Sequence, residues 1–204
     1  MDIASIAEAI ATAVAGPARQ GVAGLDAAQV LALSAALGWA SGLRLYLVVF
    51  LVGLAGASGW MPLPAGLQLL SHPLVIGAAG LMAFIEFFAD KIPGLDTLWD
   101  AVHTVIRIPA GAALAASMFG GLGGTDAQVW TVIAALLGGT LAATAHAAKA
   151  TTRAAVNTSP EPFSNISLSL LGDALVPTML WLAYAHPLMF FILLALLLLA
   201  MIAL

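Results

Sequence analysis

The chain has 204 residues, of which 62% are apolar and only 8% are charged, and its mean hydropathy is +1.07. Soluble domains carry about 25% charged residues, so this composition is typical of a protein solvated by the lipid bilayer. The net charge is −4 and no basic cluster is present, which excludes nucleic acid as a partner, while the lack of cysteine excludes disulfides, zinc thiolates and iron–sulfur clusters.

Residues 1–24 form an N-terminal segment ahead of a single predicted membrane domain, residues 25–204. Isoleucines recur in this segment at helical spacing opposite polar side chains such as Glu8, which predicts a short amphipathic helix lying at the membrane interface. The segment starts with acidic rather than basic residues, so a cleaved signal peptide is not expected. Asp26 follows a glycine-rich break and is predicted to cap the first long helix.

Six apolar stretches are predicted to form transmembrane helices, because most of them can cross about 30 Å of hydrocarbon at about 1.5 Å per residue. We therefore predict an all-α, multi-pass membrane protein. Two sets of three spans would have opposite orientations, which would allow a 3+3 inverted repeat. The predicted spans lie near residues 30–56, 74–90, 107–120, 129–148, 166–184 and 188–204.

The positions of the cations predict the orientation of the chain. Cytoplasmic loops of membrane proteins carry an excess of lysine and arginine. If both termini are cytoplasmic, every cation except Arg44 falls on the cytoplasmic side. These cations are Arg19, Lys91, Arg107, Lys149 and Arg153.

Arg44 is predicted to lie near the centre of the first span. An arginine at this depth costs about 2.5 to 3.5 kcal/mol unless it meets a carboxylate or water, so we expect it to face the protein interior. Gly38 and Gly42, four residues apart, would allow another helix to approach closely or the helix to break. The alternative is a displaced helix in which Arg44 extends to a lipid headgroup.

The 24-residue stretch 84–107 holds six of the 16 charged side chains of the chain, together with His103. Glu86 and Asp90 are four residues apart and share a helical face, and Asp173 is expected at a similar depth in the fifth span. Two carboxylates one turn apart do not both ionise readily in a low dielectric, so one of the pair is expected to hold a proton. The predicted site is a cavity open to the cytoplasm, lined by Arg44, Glu86, Asp90 and Asp173.

Further polar residues are predicted to surround this cavity. Cations at the cytoplasmic mouth could hold an anionic headgroup or substrate. The asparagines of the polar loop that precedes the fifth span could reach the cavity, although Asn165 is equally suited to cap the fifth helix. The residues in question are Lys91, Arg107, Lys149, Arg153, Asn157 and Asn165.

A metal site is the alternative for the acids of residues 95–107. Asp96, Asp100 and His103 could bind a hard divalent ion such as Mg²⁺, as in membrane enzymes that act on diphosphates. The other interpretation is an interfacial helix with solvated acids, anchored by Trp99. The sequence contains no complete catalytic motif, so no catalytic residue is predicted.

Three functions remain open at this point. The leading hypothesis is a small transporter or lipid-carrier permease that needs no cofactor beyond a coupling proton, monovalent cation or Mg²⁺. The second is a metal-dependent enzyme that acts on phospholipid or isoprenoid phosphates at the inner leaflet, and the third is a structural membrane subunit. Expected partners are membrane lipids, an unidentified small-molecule or lipid substrate, and a second copy of the chain that pairs through glycine-rich faces.

Three motifs of the chain resemble a bacterial membrane-protein family filed as domain of unknown function 4126. They are GWASGLRLY, EFFADKIPGLDTLWDAVHTVIRIPAGA and AHAAKATTRAAVNTSPEPFSN, and the resemblance covers roughly residues 31–184. It implies a helical bundle in a bacterial inner membrane and carries over no catalytic roles. The family often has an acidic residue near Gly172 in addition to Asp173, and this chain departs from that pattern.

Overall fold

The computed structural model describes residues 24–120, 124–158 and 162–203, and all regular structure in these ranges is helical. The predicted all-α class is therefore confirmed for this part of the chain, whereas the amphipathic helix predicted in residues 1–24 falls almost wholly outside it. In chain order the elements are α1 (Ala27–Ala57), a 3₁₀ helix (Ala65–Ser71), α2 (Pro73–Ala89), α3 (Leu95–Ser117), α4 (Thr125–Val156), α5 (Pro162–Ala185) and α6 (Pro187–Ala203).

Within the described ranges, three helices are long and apolar enough to cross a membrane: α1, α4 and residues Phe163–Ala185 of α5. The 3₁₀ helix and α2 meet at an angle of 71° and would give a fourth crossing if they form one span. Helix α6 is apolar but has only 17 residues. The spans predicted near 30–56, 129–148 and 166–184 therefore have helices to match, and the other three stay predictions.

Helix α1 is the central element and packs against every other helix of the described chain. It starts at a capping box, in which the Asp26 carboxylate accepts from the Gln29 amide at 2.8 Å and the Gln29 side chain accepts from the Asp26 amide at 2.9 Å. This confirms the predicted cap. The helical backbone is interrupted at Arg44, where φ is −146° and ψ is 73°, so Arg44 lies at a break in the middle of a long helix.

Small residues bring α1, α3 and α4 into close contact. A Cβ atom added at Gly42 would lie 2.2 Å from the Ala142 carbonyl oxygen, and one added at Gly38 would lie 2.5 Å from Gly138 Cα. On α3, a Cβ at Gly111 would meet the Ala142 side chain at 2.6 Å. The predicted close approach is therefore made within the chain, and these glycines are not free to pair with a second copy.

Helices α3 and α4 are each longer than the sequence predicts. The proposed interfacial helix and third span form one helix, α3, which runs through Pro109. Helix α4 passes the predicted end of the span at residue 148 and reaches Val156, because its last turns are rich in alanine and direct Arg153 into the protein.

Two helix caps also differ from expectation. Helix α5 starts at Pro162, so Asn165 lies inside its first turn and does not cap it. His72 caps α2 although histidine is not among the residues expected at this position, and its Nδ1 atom accepts a hydrogen bond from the Leu74 amide at 3.3 Å.

Candidate functional site

A connected network of ion pairs occupies the space between α1 and the four helices α2 to α5. It uses five of the six lysines and arginines of the chain and five of its ten acids, so the network is neutral when every member is ionised. The cations are Arg44, Lys91, Arg107, Lys149 and Arg153, and the anions are Glu86, Asp90, Asp96, Asp100 and Asp173.

Asp90 is the central anion of the network. It ends α2 and is fully buried. Its Oδ2 atom pairs with Arg44 Nη1, with Lys149 Nζ at 2.8 Å and with Arg153 Nη2 at 3.5 Å. One carboxylate oxygen therefore attracts cations from both α1 and α4.

Arg44 extends the network to α5 and then to the protein surface. Its Nη2 atom lies 2.9 Å from Asp173 Oδ1 and donates to the Ser169 hydroxyl at 2.8 Å. Lys91 Nζ lies 3.2 Å from the other oxygen of Asp173 and 3.1 Å from the ring centre of Phe87. The side chains of Lys91 and Asp173 are 16% and 19% exposed, so this pair is where the network reaches the surface.

Arg107 lies at the opposite end of the network. Its Nη2 atom donates to Glu86 Oε1 at 2.6 Å, and its Nη1 atom donates to Asp100 Oδ1 at 2.6 Å. Lys149 also reaches Asp100, at 2.9 Å. Glu86 and Asp90 are predicted to share one environment, but their ion pairs are with different cations: Glu86 pairs with Arg107 of α3, and Asp90 pairs with cations of α1 and α4.

Asp96 anchors the start of α3. Its carboxylate accepts from Arg153 and Asn165 at 3.1 Å each, and from Asn157 at 3.0 and 3.2 Å. Burial raises the pKa of the Asp96 carboxyl, but the hydrogen bonds from Asn165, Arg153, Asn157 and the Thr97 amide outweigh burial and hold the pKa below its usual value. Asn157 and Asn165 thus bind a carboxylate at the end of the bundle.

The metal site predicted from Asp96, Asp100 and His103 is not formed. The two acids pair with cations, while His103 contacts the Tyr46 hydroxyl at 3.1 Å and stacks on Trp99 with ring centres 4.1 Å apart. Residues 24–120, 124–158 and 162–203 contain no group of three histidine or acidic side chains placed to hold a metal ion. The alternative of solvated acids is also wrong, because Asp96 and Asp100 are buried.

Three carboxylate oxygens of the network are buried and have no hydrogen-bond partner among the described residues. They are Glu86 Oε2, Asp90 Oδ1 and Asp100 Oδ2. An unpaired buried acceptor costs about 1–3 kcal/mol, and more when it is charged. A proton, a cation or a polar ligand at one of these oxygens would remove that cost.

A cavity of about 130 Å³ adjoins the network between α1, α4, α5 and α6. Three of its lining side chains are cations of the network, Arg44, Lys149 and Arg153, and no acidic residue lines it. The other lining residues are Leu43, Ala148, Thr152, Leu168, Leu171, Gly172, Leu175 and Met201. The members of the network that contribute to the lining of the cavity are therefore cations, whose charged nitrogens pair with acids of the network.

The sequence reasoning missed two polar residues of the network, Ser169 and His146. Ser169 bonds both Arg44 and Lys91, and it lies one turn before Asp173 on the same face of α5. His146 contacts Arg107 at 3.2 Å and the Thr104 hydroxyl at 2.7 Å, and it precedes Lys149 by one turn. Helical spacing from a predicted site residue was the available signal in both cases.

The described residues define a class: helical proteins with membrane-length apolar helices packed around a buried, neutral network of ion pairs. Residues 31–204 match the family described as "Domain of unknown function (DUF4126)", and the chain belongs to this family. The match confirms the resemblance and extends it to the C-terminal helix. No curated protein and no solved structure matches the chain.

Proposed function

We propose that this protein is a small membrane carrier whose substrate or coupling ion binds at the network around Asp90. The observation that carries the proposal is the environment of this carboxylate: three cations meet at its Oδ2 atom, and its buried Oδ1 atom has no hydrogen-bond partner in the described part of the chain. If these cations are drawn away, the buried charge of Asp90 is left unpaired, and a proton or a bound cation at the carboxylate would remove that cost.

A change of charge at Asp90 would alter contacts between several helices. Two unit charges 4 Å apart attract by about 4 kcal/mol at an effective dielectric constant of about 20. Protonation of Asp90 removes this attraction for Arg44 of α1 and for Lys149 and Arg153 of α4 at once. The packing of α2 against α1 and α4 would then change, which is what a carrier needs to expose its site alternately.

The proposal includes an orientation in the membrane. Lys91 follows the last turn of α2, Lys149 and Arg153 lie toward the C-terminal end of α4, and the positive-inside rule places these helix ends in the cytoplasm. The Lys91–Asp173 pair then forms the route from the cytoplasm to Asp90. Six spans, cytoplasmic termini, a 3+3 inverted repeat and a bacterial inner membrane belong to the same proposal, together with the use of Glu86 as a second proton or cation site.

Proteoliposomes of phosphatidylethanolamine and phosphatidylglycerol with a pH-sensitive dye inside test the proposal. A potassium diffusion potential, negative inside, drives protons inward. The wild-type protein is expected to acidify the lumen faster than protein-free vesicles, and Asp90→Asn and Glu86→Gln are each expected to abolish this difference while the proteins still fold. Asp126→Asn, at an exposed acid in the first turn of α4, is the matched control that retains the wild-type rate.

Wild-type vesicles that acidify no faster than protein-free vesicles, with sodium as the external cation, would overturn the carrier proposal. That outcome would instead favour a structural subunit, in which the paired network only stabilises the bundle. The enzyme hypothesis has less support than either, because Asp96, Asp100 and His103 are held in separate contacts.

A further inference from the structure

The cavity beside the network is lined mainly by apolar atoms, and the side chains of three cations of the network contribute to its lining. Arg44, Lys149 and Arg153 lie on one side, and the other lining residues carry no charge, with Thr152 as the one polar side chain among them. Leu171 on α5 is 55% exposed and lies at the rim. Because α5 is long and apolar enough to span a membrane, this rim faces the region that acyl chains would occupy.

We infer that the cavity binds the oxyanion headgroup of a single-chain anionic amphiphile, with Asp90 as the internal anion that the headgroup displaces. The volume of about 130 Å³ suits a headgroup but not a whole lipid, since pockets for complete drug-sized ligands measure about 300–1,000 Å³. The apolar chain would leave past Leu171 into the bilayer. The inference deepens the proposed function by naming its substrate class, and it rests on that proposal only for the transport step.

The three cations that line the cavity are the same three that meet at Asp90 Oδ2. An incoming oxyanion offers two or three oxygens to them, which suits the paired donors of the two arginines. Asp90 would then lose its counter-charges while it stays buried. The charge count gives the consequence: a neutral network that accepts one anion stays neutral only if it also accepts one proton.

The contacts around Asp90 explain why the headgroup would displace Asp90 and not another acid of the network. The three cations that contact Asp90 connect it to the remaining acids: Arg44 to Asp173, Lys149 to Asp100 and Arg153 to Asp96. Each of those acids keeps at least one further contact when the headgroup binds, whereas Asp90 keeps none of its side-chain ion pairs. The charged groups facing Asp90 are therefore Arg44 from α1, Lys149 and Arg153 from α4, Arg107 from α3, and Lys91 from the turn after α2.

Gly172 controls the space in front of Arg44. A Cβ atom added there would lie 3.7 Å from Arg44 Nε, which is an ordinary van der Waals contact. Because Gly172 lines the cavity, a larger side chain at this position would occupy part of its volume. Gly77 on α2 offers a matched control, because a Cβ atom added there has no atom within 4 Å.

Binding is measured on the purified full chain in a neutral maltoside detergent by calorimetric titration, with a pH electrode in weak buffer. At about pH 5, where dodecyl phosphate carries one charge because its second pKa is about 6, it is expected to bind with uptake of about one proton per ligand, which is the linkage that the charge count requires. Gly172→Leu should weaken binding by about tenfold or more, and Gly77→Leu should leave it unchanged. Asp90→Asn should bind dodecyl phosphate without proton uptake, with circular dichroism as the check on folding.

Two further probes test whether the ligand must be an anion and whether it must carry an apolar chain. Dodecyltrimethylammonium should not compete with dodecyl phosphate, and inorganic phosphate should bind much more weakly because it lacks the chain. Equal affinity for inorganic phosphate would overturn the amphiphile and indicate a free anion. Dodecyl phosphate binding that is the same in wild type and Gly172→Leu would overturn the site.

The outcomes for this inference and for the carrier proposal can be told apart. Proton flux in vesicles without dodecyl phosphate binding overturns the inference alone. Binding with proton uptake in detergent but no flux in vesicles overturns the carrier proposal alone.

Discussion

Arg44, at the break in α1, pairs with Asp90, at the end of α2, and both side chains are almost completely buried. A buried ion pair returns little net stability because both ions lose their hydration, but removal of one partner is costly because the other is left as a buried, unpaired charge. The pair therefore holds the end of α2 against the break in α1. Its charge balance can be tested one side chain at a time.

Arg44→Gln is expected to destabilise the protein by about 3–5 kcal/mol, because Asp90 and Asp173 both lose a counter-charge. Arg44→Gln combined with Asp173→Asn should recover part of this loss, since the network then has four cations and four anions. Thermal unfolding in detergent, followed by circular dichroism, gives the comparison. A double variant no more stable than Arg44→Gln would show that charge balance is not what the network requires.

The crossing of α1 and α4 gives a second prediction, which concerns packing. Gly42→Ala should destabilise the protein by about 1–3 kcal/mol, because its Cβ would lie 2.2 Å from the Ala142 carbonyl oxygen and the helices must separate. Gly77→Ala places the same methyl group in open space and should be neutral or stabilising by up to about 1 kcal/mol. Equal unfolding temperatures for the two variants would contradict the crossing.

Much of the site was predictable from the sequence because charged residues in an apolar chain are costly and must face one another. This reasoning identified Arg44, Glu86, Asp90 and Asp173, and all four lie in the network. It also identified the Gly38 and Gly42 contact. The cap of α1 at Asp26 could be predicted from local sequence alone, because its partner Gln29 is only three residues away.

The pairing pattern was not predictable because it depends on which helices are neighbours. Glu86 and Asp90 are close in sequence, yet Arg107 and Arg44 come to them from different helices. Asp96 has the spacing of an interfacial or metal-binding acid, and only the position of Asn165, 69 residues away, shows that it is a buried anchor. Periodicity alone cannot give such long-range partners.

The anchor at Asp96 predicts an acid-sensitive contribution to stability. Its folded pKa is lower than the usual value of 3.8, so the ionised carboxylate stabilises the folded state. This contribution is fully present above the usual pKa and is lost as the pH falls toward the lower, folded value. The unfolding temperatures of wild type and Asp96→Asn should therefore differ at pH 6, and the difference should shrink progressively as the pH falls below about 4.

Asp126→Asn is the control for this pH series, because Asp126 is exposed and lies in the first turn of α4, away from the network. Its unfolding temperature should follow that of the wild type throughout. A difference between wild type and Asp96→Asn that stays constant down to pH 3 would contradict the stabilising role of the ionised carboxylate.

Chelation provides a further test of the metal hypothesis. Because Asp100 binds Arg107 and Lys149, and Asp96 binds Arg153, neither acid is available to a divalent ion without loss of an ion pair. Excess EDTA should leave the unfolding temperature unchanged, and Mg²⁺ should shift it no more than an equal ionic strength of KCl. A rise with Mg²⁺ that Asp100→Asn removes would restore the metal site.

The route from the surface to the network can be mapped with single cysteines, because the chain has no native cysteine. Asp173→Cys should react with a membrane-impermeant maleimide, since the Asp173 side chain is 19% exposed, whereas Glu86→Cys should not, since the Glu86 side chain is 1% exposed. With the proposed orientation, Asp173→Cys reacts in inside-out vesicles and not in intact cells.

Asp126→Cys serves as the opposite-side control in this labelling experiment. Asp126 and Arg153 lie near opposite ends of α4, about 40 Å apart at about 1.5 Å per residue, which exceeds the hydrocarbon thickness of about 30 Å. Asp126→Cys should therefore react in intact cells. Reaction of Asp173→Cys and Asp126→Cys from the same side would contradict a membrane-spanning α4, and reaction of both from the reversed sides would place the network at the outer face of the membrane.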